Sequence, residues 1–116
     1  MKIKRDKLDI LFAQYIKLRD KYCQRCGGSS GLQTAHFHSR RKQSVRQDEE
    51  NSCLLCFGCH IYLDGNPLEK IEFFKQRLGE EGFALLTGRA YNTHPKPDKE
   101  AIRLYLQEKI AEIRSL

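Results

Sequence analysis

The chain has 116 residues, of which 40% are hydrophobic and 31% charged, and a net charge of +6. This balance predicts one soluble globular domain and favours an anionic partner, nucleic acid above all. The chain has no run of about 18 apolar residues and no apolar stretch behind its basic N-terminus, which excludes a transmembrane helix and a secretory signal and predicts a cytoplasmic protein without membrane contact.

The first half of the chain predicts one helix and two short strands. Apolar residues recur every three or four positions over residues 3–22, which indicates an amphipathic helix. The segment Leu-Gln-Thr-Ala-His-Phe-His at residues 32–38 suits a half-buried strand. A polar loop at residues 39–50 leads to a second strand at residues 51–55, and loops of this length are usually functional or mobile.

The second half predicts helices only. They are expected at residues 56–64, 67–79, 80–88 and 98–114, with a proline-marked linker at 92–98. The apolar stripe of the last helix can pack on the protein's own core or on a second copy. We therefore expect residues 1–116 to form one domain with an N-terminal helix (1–22), a central core (23–64) and a helical C-terminal part (65–116).

Two Cys-x-x-Cys pairs, Cys23/Cys26 and Cys56/Cys59, have the spacing of a tetrahedral zinc site. Four sulfurs leave no open position, so the zinc is expected to be structural. We assign Cys53 to packing, because Leu54-Leu55 suits a core whereas Phe57-Gly58 offers a glycine to the metal-binding loop. The alternatives are four thiols without metal, or a ligand set that includes Cys53 or His60.

The polar loop carries four cations over a short stretch: Arg40, Arg41, Lys42 and Arg46. Such a run is usually only a solvated surface. Beside a site for phosphate chemistry, however, we expect these residues to bind nucleic acid phosphates.

Three polar residues accompany the cysteines: His36 on the first strand, Asn51 at the start of the second, and His60 on the following helix. A neutral histidine can deprotonate water near ambient pH, and an amide can orient it. Together with Cys-Gln-Arg-Cys (23–26), Ala-His-Phe-His-Ser-Arg-Arg (35–41) and Cys-Phe-Gly-Cys-His (56–60), this order resembles the HNH (ββα-metal) endonuclease family, particularly its phage-associated and NinG-like members with a zinc ribbon.

The resemblance covers residues 23–64 and implies an α+β fold: a ββα-metal core with a short two-stranded antiparallel sheet, a four-cysteine zinc site and flanking helices. It implies a DNA endonuclease of low sequence specificity, in which His36 is the general base, Asn51 a positioning residue and His60 a ligand of a catalytic Mg²⁺ or Mn²⁺. Many family members have an Asp before the base, where this chain has Ala35. His38, expected on the same strand face as His36, or Asp48 is then the candidate replacement ligand.

A second hypothesis is a non-catalytic zinc-ribbon module that binds nucleic acid or a protein. This function requires only the four cysteines and the positive charge. A third is a subunit that acts only as a homodimer. In the simpler readings His36 is an ordinary core or surface residue, Asn51 a turn or cap residue, and His60 a zinc ligand or a helix cap.

Overall fold

The computed structural model describes residues 5–116, which form four α-helices and two β-strands. Their bounds are α1 Lys7–Asp20, β1 Leu32–His36, β2 Ser52–Cys56, α2 Phe57–Asp64, α3 Pro67–Tyr91 and α4 Lys99–Arg114. The mixed α+β architecture with a two-stranded antiparallel sheet agrees with the prediction. None of the described helices is long and apolar enough to cross a membrane.

Helix α1 begins at Lys7 because two aspartates cap its first turn. The Asp6 carboxylate accepts from the backbone N–H of Asp9 at 2.9 Å, and the Asp9 carboxylate accepts from that of Asp6 at 3.0 Å. The helix ends at Asp20, since Lys21 takes a left-handed φ of 67°. The predicted range of 3–22 is therefore too long, and its residues 3 and 4 lie outside the described residues.

Both faces of the small sheet pack against helices. The strands pair from Leu32 opposite Cys56 to His36 opposite Ser52. One face packs on α2 and α3 in a cluster of Cys23, Ala35, Cys53, Leu55, Cys59, Leu63 and Phe74. The other packs on α1 and α4 in a cluster of Phe12, Tyr15, Ile16, Leu54, Leu106 and Ile110. Because β2 is covered on both sides, it is apolar at successive positions, and α4 packs on the chain's own core.

Helix α3 contains a break at Gly79, whose φ of 79° and ψ of 162° are not helical. The two helices predicted before and after this residue thus form, but the second extends to Tyr91 instead of residue 88. That second half covers the loop at 39–50, where Val45 packs against Leu86 and Ala90. The loop itself contains two single 3₁₀ turns, at Gln43–Val45 and Glu49–Asn51.

Candidate functional site

Four cysteine sulfurs from two distant segments lie together. The sulfurs of Cys23, Cys26, Cys56 and Cys59 are all within 4.8 Å of one another. Those of Cys26 and Cys56 are 3.7 Å apart, close to the edge of about 3.8 Å that a tetrahedron with Zn–S bonds of about 2.3 Å requires. The cluster could hold a metal ion such as zinc, and it consists of the four cysteines chosen from the sequence.

The loops around the cluster direct backbone N–H groups at the sulfurs. Cys26 donates to Cys23 Sγ at 3.5 Å, Gly28 to Cys26 Sγ at 3.4 Å and Cys59 to Cys56 Sγ at 3.4 Å. Gly27 has a φ of 78°, and a Cβ on Gly28 would lie 3.3 Å from the Cys26 sulfur. The two glycines therefore let the chain turn closely past the cluster.

The cluster thiols differ in acidity, and the fifth cysteine is separated from them by its position. Burial acts to raise the pKa of Cys23, but hydrogen bonds from surrounding backbone N–H groups lower it to about 6. Burial and the neighbouring thiols raise the pKa of Cys59 to about 12, so the cluster retains protons that a metal ion would displace. Cys53 is fully buried in the core, where burial raises its pKa to about 12. Because Cys53 lies in the hydrophobic core and outside the group of four sulfurs, it is a packing residue.

Arg25 is a neighbour of the cluster that the sequence did not single out. Its Nη1 donates to Cys59 Sγ at 3.4 Å, and its guanidinium lies 4.3 Å from the centre of the Tyr62 ring. A cation in this position offsets the negative charge of thiolates.

A cleft of about 900 Å³ lies beside the sheet, between α1 and α2. His36 and His60 both line it, as does Asp64. Four basic side chains also line the cleft: Arg5, Lys17, Arg40 and Lys70. The first and third residues of the His–Asn–His set thus lie at one cavity. Its four cations outnumber its two carboxylates, Asp9 and Asp64, so that the walls attract an anion.

His36 is the last residue of β1, and its ring has a defined orientation. Nε2 lies 3.0 Å from the backbone carbonyl oxygen of Arg46. Because a carbonyl only accepts, Nε2 carries the proton and Nδ1 keeps its lone pair. Burial lowers the pKa of His36 to about 4, so the ring is neutral at ambient pH and can accept a proton.

His60 lies one helical turn before Asp64 on α2. Its Nδ1 donates to the Gln33 side-chain oxygen at 2.7 Å, and its Nε2 lies 3.4 Å from Asp64 Oδ2. Lys70 contacts the other carboxylate oxygen at 2.8 Å. An imidazole nitrogen and a carboxylate oxygen thus lie side by side, and the same carboxylate is paired with the Lys70 ammonium.

Asn51 is fully buried and holds the loop between the strands. Its Oδ1 accepts from the His38 N–H at 2.8 Å, and its Nδ2 donates to the carbonyls of His38 and Val45 at 3.0 and 3.1 Å. Asn51 therefore touches neither His36 nor His60 through these bonds. It fixes the backbone on either side of the loop that supplies the carbonyl partner of His36.

His38 does not join the cleft. Strand β1 ends at His36, and two residues later the Asn51 side chain binds both the N–H and the carbonyl of the His38 backbone. The His38 ring packs edge-on against Phe37 and Tyr91, and its buried Nε2 has no hydrogen-bond partner among the described residues. The expectation that it shares a strand face with His36 is wrong, and the structure does not support its assignment as a metal ligand.

The four loop cations have different surroundings. Arg40 lines the cleft, Arg41 is exposed, and Lys42 lies over the Tyr91 ring at 4.1 Å. Arg46 is 7% exposed and pairs with the carboxylate of Asp9. Burial thus removes the Arg46 side chain from the surface that a nucleic acid could contact.

The residue before His36 faces the core and not the cleft. Ala35 is fully buried in the cluster that contains Cys53 and Leu55, on the sheet face opposite His36. An acidic side chain there would point into the core. Asp48, the other suggested replacement, accepts from Arg89 Nε at 2.8 Å and caps the turn at Glu50. Asp64 is therefore the carboxylate that the structure places beside His60, and helical i,i+4 spacing is the sequence signal that could have identified it.

When the chain was compared with known proteins, no family model, curated protein or solved structure matched it. The fold and the site geometry are therefore the basis for a functional assignment.

Proposed function

We propose that the protein is a metal-dependent endonuclease that hydrolyses phosphodiester bonds of DNA, and that its four-cysteine cluster binds structural zinc. The observation that carries this proposal is that a neutral, oriented His36 and the His60–Asp64 pair line one cationic cleft. Hydrolysis of a phosphodiester needs a base for water, and positive charge beside the phosphoryl oxygens.

In this mechanism His36 accepts the proton of the attacking water at Nδ1. The carbonyl of Arg46 holds Nε2–H and thereby keeps the free lone pair on Nδ1. The pKa of about 4 keeps the ring unprotonated at ambient pH. Because the strength of a base falls with its pKa, we expect His36 to contribute near the lower end of the range of about 10² to 10⁴ in rate that general bases supply.

His60 and Asp64 are the residues that would hold the catalytic divalent ion. The hydrogen bond from His60 Nδ1 to Gln33 leaves Nε2 free as a ligand atom. It also orients the ring, as hydrogen bonds to the other nitrogen of metal-bound histidines commonly do. When bound, Mg²⁺ or Mn²⁺ supplies positive charge to the phosphoryl and leaving oxygens.

The basic residues of the cleft support an anionic polymer as substrate. Lys17 on α1 and Arg40 on the loop both line the cavity that contains His36. Contacts of this kind go to phosphates and carry no base information, which predicts low sequence specificity and binding that weakens steeply with salt.

The zinc-loaded protein is tested on supercoiled plasmid DNA with added Mn²⁺ or Mg²⁺, in parallel with His36→Ala and His60→Ala. The wild type is expected to nick the plasmid, and both variants to lose roughly 10² or more in rate. His94→Ala, in the 92–98 linker, is the matched control and is expected to retain activity. If wild type and variants all bind DNA in an anisotropy assay but none nicks it, the endonuclease proposal is wrong and the non-catalytic binding module is correct.

A further inference from the structure

A buried ion pair joins α1 to the loop between the strands. Asp9 and Arg46 are 6% and 7% exposed, and the guanidinium contacts both carboxylate oxygens, with Nε 2.9 Å from Oδ1. Gln47 donates to the same carboxylate at 3.0 Å. Two consecutive loop residues are thus attached to a single side chain of α1.

The backbone of Arg46 continues this connection to the cleft. Its carbonyl oxygen is the atom that accepts from His36 Nε2 at 3.0 Å. On the preceding residue, the Val45 carbonyl is held by Asn51 Nδ2 at 3.1 Å. The peptide that orients His36 is therefore fixed on one side by Asn51 and on the other by the Asp9 carboxylate.

We propose that Asp9 is a positioning residue for His36, acting through Arg46, and that α1 is in this way part of the reaction centre. This role rests on the proposed function, in which His36 is the general base. A buried ion pair contributes little net stability compared with an apolar pair of similar volume, but it fixes geometry. The ion pair affects the reaction through the Arg46 carbonyl, because the position of this carbonyl determines which ring nitrogen of His36 carries the proton and which is free.

The variant Asp9→Asn removes the charge while it keeps an oxygen that can cap the Asp6 N–H. Asp6→Asn is the matched control, since it makes the same charge change one turn earlier in the chain. The Asp6 carboxylate accepts a hydrogen bond from the backbone N–H of Asp9 and not from Arg46. Because Asp9→Asn leaves the Arg46 charge buried and can unfold the protein, the double variant Asp9→Asn/Arg46→Gln is made as well. Thermal melts identify which variants are folded.

The first readout is the tautomer of His36, measured by ¹⁵N NMR on zinc-loaded protein without DNA or added Mn²⁺. The wild type and Asp6→Asn are expected to show Nε2–H only, and the folded Asp9 variants a mixture of both tautomers. The second readout is nicking: a displaced base is expected to lower kcat by about 10- to 100-fold, while KM for DNA changes by less than about twofold.

A folded Asp9 variant that keeps both the His36 tautomer and the kcat of the wild type would overturn the positioning role. A loss of kcat that Asp6→Asn reproduces would overturn it too, since it would indicate an effect of net charge. If the wild type does not cleave DNA, the tautomer alone decides whether Asp9 positions His36, and the missing cleavage counts only against the proposed function.

Discussion

Asn51 and His38 form a closed pair of hydrogen bonds, in which the amide side chain binds both the N–H and the carbonyl of one backbone residue. Backbone pairing continues to Phe37, whose N–H donates to the Asn51 carbonyl at 2.8 Å, and the Asn51 side chain replaces the partner backbone at His38. The loop at 39–50 is attached to α1 through Arg46 and to α3 through Arg89, which pairs with Asp48 and Glu50. The position of the His36 ring thus depends on contacts from three separate parts of the chain.

Replacement of Asn51 by Ala should destabilise the protein substantially. The variant leaves the N–H and the carbonyl of His38 without their partner in a buried site, and it removes one of the two bonds to the Val45 carbonyl, which keeps the Asp48 N–H. We expect a loss of about 2–4 kcal/mol in the free energy of unfolding, measured by urea denaturation, and faster amide exchange at His38. Asn66→Ala, which removes one exposed bond to the Tyr62 carbonyl, should change stability by less than about 0.5 kcal/mol. Equal effects of the two variants would contradict the role assigned to Asn51.

Metal removal should unfold the centre of the molecule. The binding free energy of a structural zinc is on the order of 10 kcal/mol, comparable with the total stability of a small domain, about 5–15 kcal/mol. We expect chelation or Cys56→Ser to abolish the cooperative melt and the bound zinc, as measured by calorimetry and elemental analysis. Cys53→Ala should retain one zinc per chain. Loss of zinc in the Cys53 variant alone would show that the ligand set is different.

The stability of the protein should fall as the pH drops from about 6.5 to about 4. In the unfolded chain His36 has an ordinary pKa of 6.5, whereas burial lowers its pKa to about 4 in the folded protein. Between these values the unfolded state binds more protons, so acid favours unfolding, by up to about 3 kcal/mol. Urea denaturation at pH 7 and pH 4.5 measures this effect. Acid also protonates the cysteine thiolates and weakens zinc binding in every variant, so the effect of His36 is the difference between wild type and His36→Gln. The wild type should lose more stability between the two pH values, and equal losses would contradict the buried neutral state.

Introducing the acidic residue that the family resemblance expects at position 35 should not create a metal ligand. Ala35→Asp would bury a carboxylate among apolar side chains and should reduce stability by about 3 kcal/mol or more. Thr34→Asp, which puts the same charge on the cleft side of β1, should be better tolerated. Urea denaturation measures the stability of the two variants, and Mn²⁺ titration measures their affinity for the metal. An Ala35→Asp protein with normal stability and tighter Mn²⁺ binding would show that residue 35 faces the cleft.

The sequence was informative where the signal is local. The spacing of the two Cys-x-x-Cys pairs predicted the sulfur cluster, because each short loop determines the separation of its own pair. The break at Gly79 was predictable for the same reason. Nothing in the sequence, by contrast, pairs Asp9 with Arg46, since that contact depends on how α1 packs on the loop. The prediction for His38 failed because it assumed that side chains alternate along the strand up to residue 38. At His38 the buried side chain of Asn51 takes the place of the partner strand.

Chemical rescue tests the assignment of His36 most directly. His36→Gly should leave a cavity open to the cleft and abolish plasmid nicking by the zinc-loaded protein in the presence of Mn²⁺. Added imidazole should restore nicking in proportion to the fraction of unprotonated imidazole, and it should not accelerate the His94→Gly control. If His36→Gly nicks DNA as fast as the wild type without imidazole, His36 is not the base and the proposed mechanism is wrong.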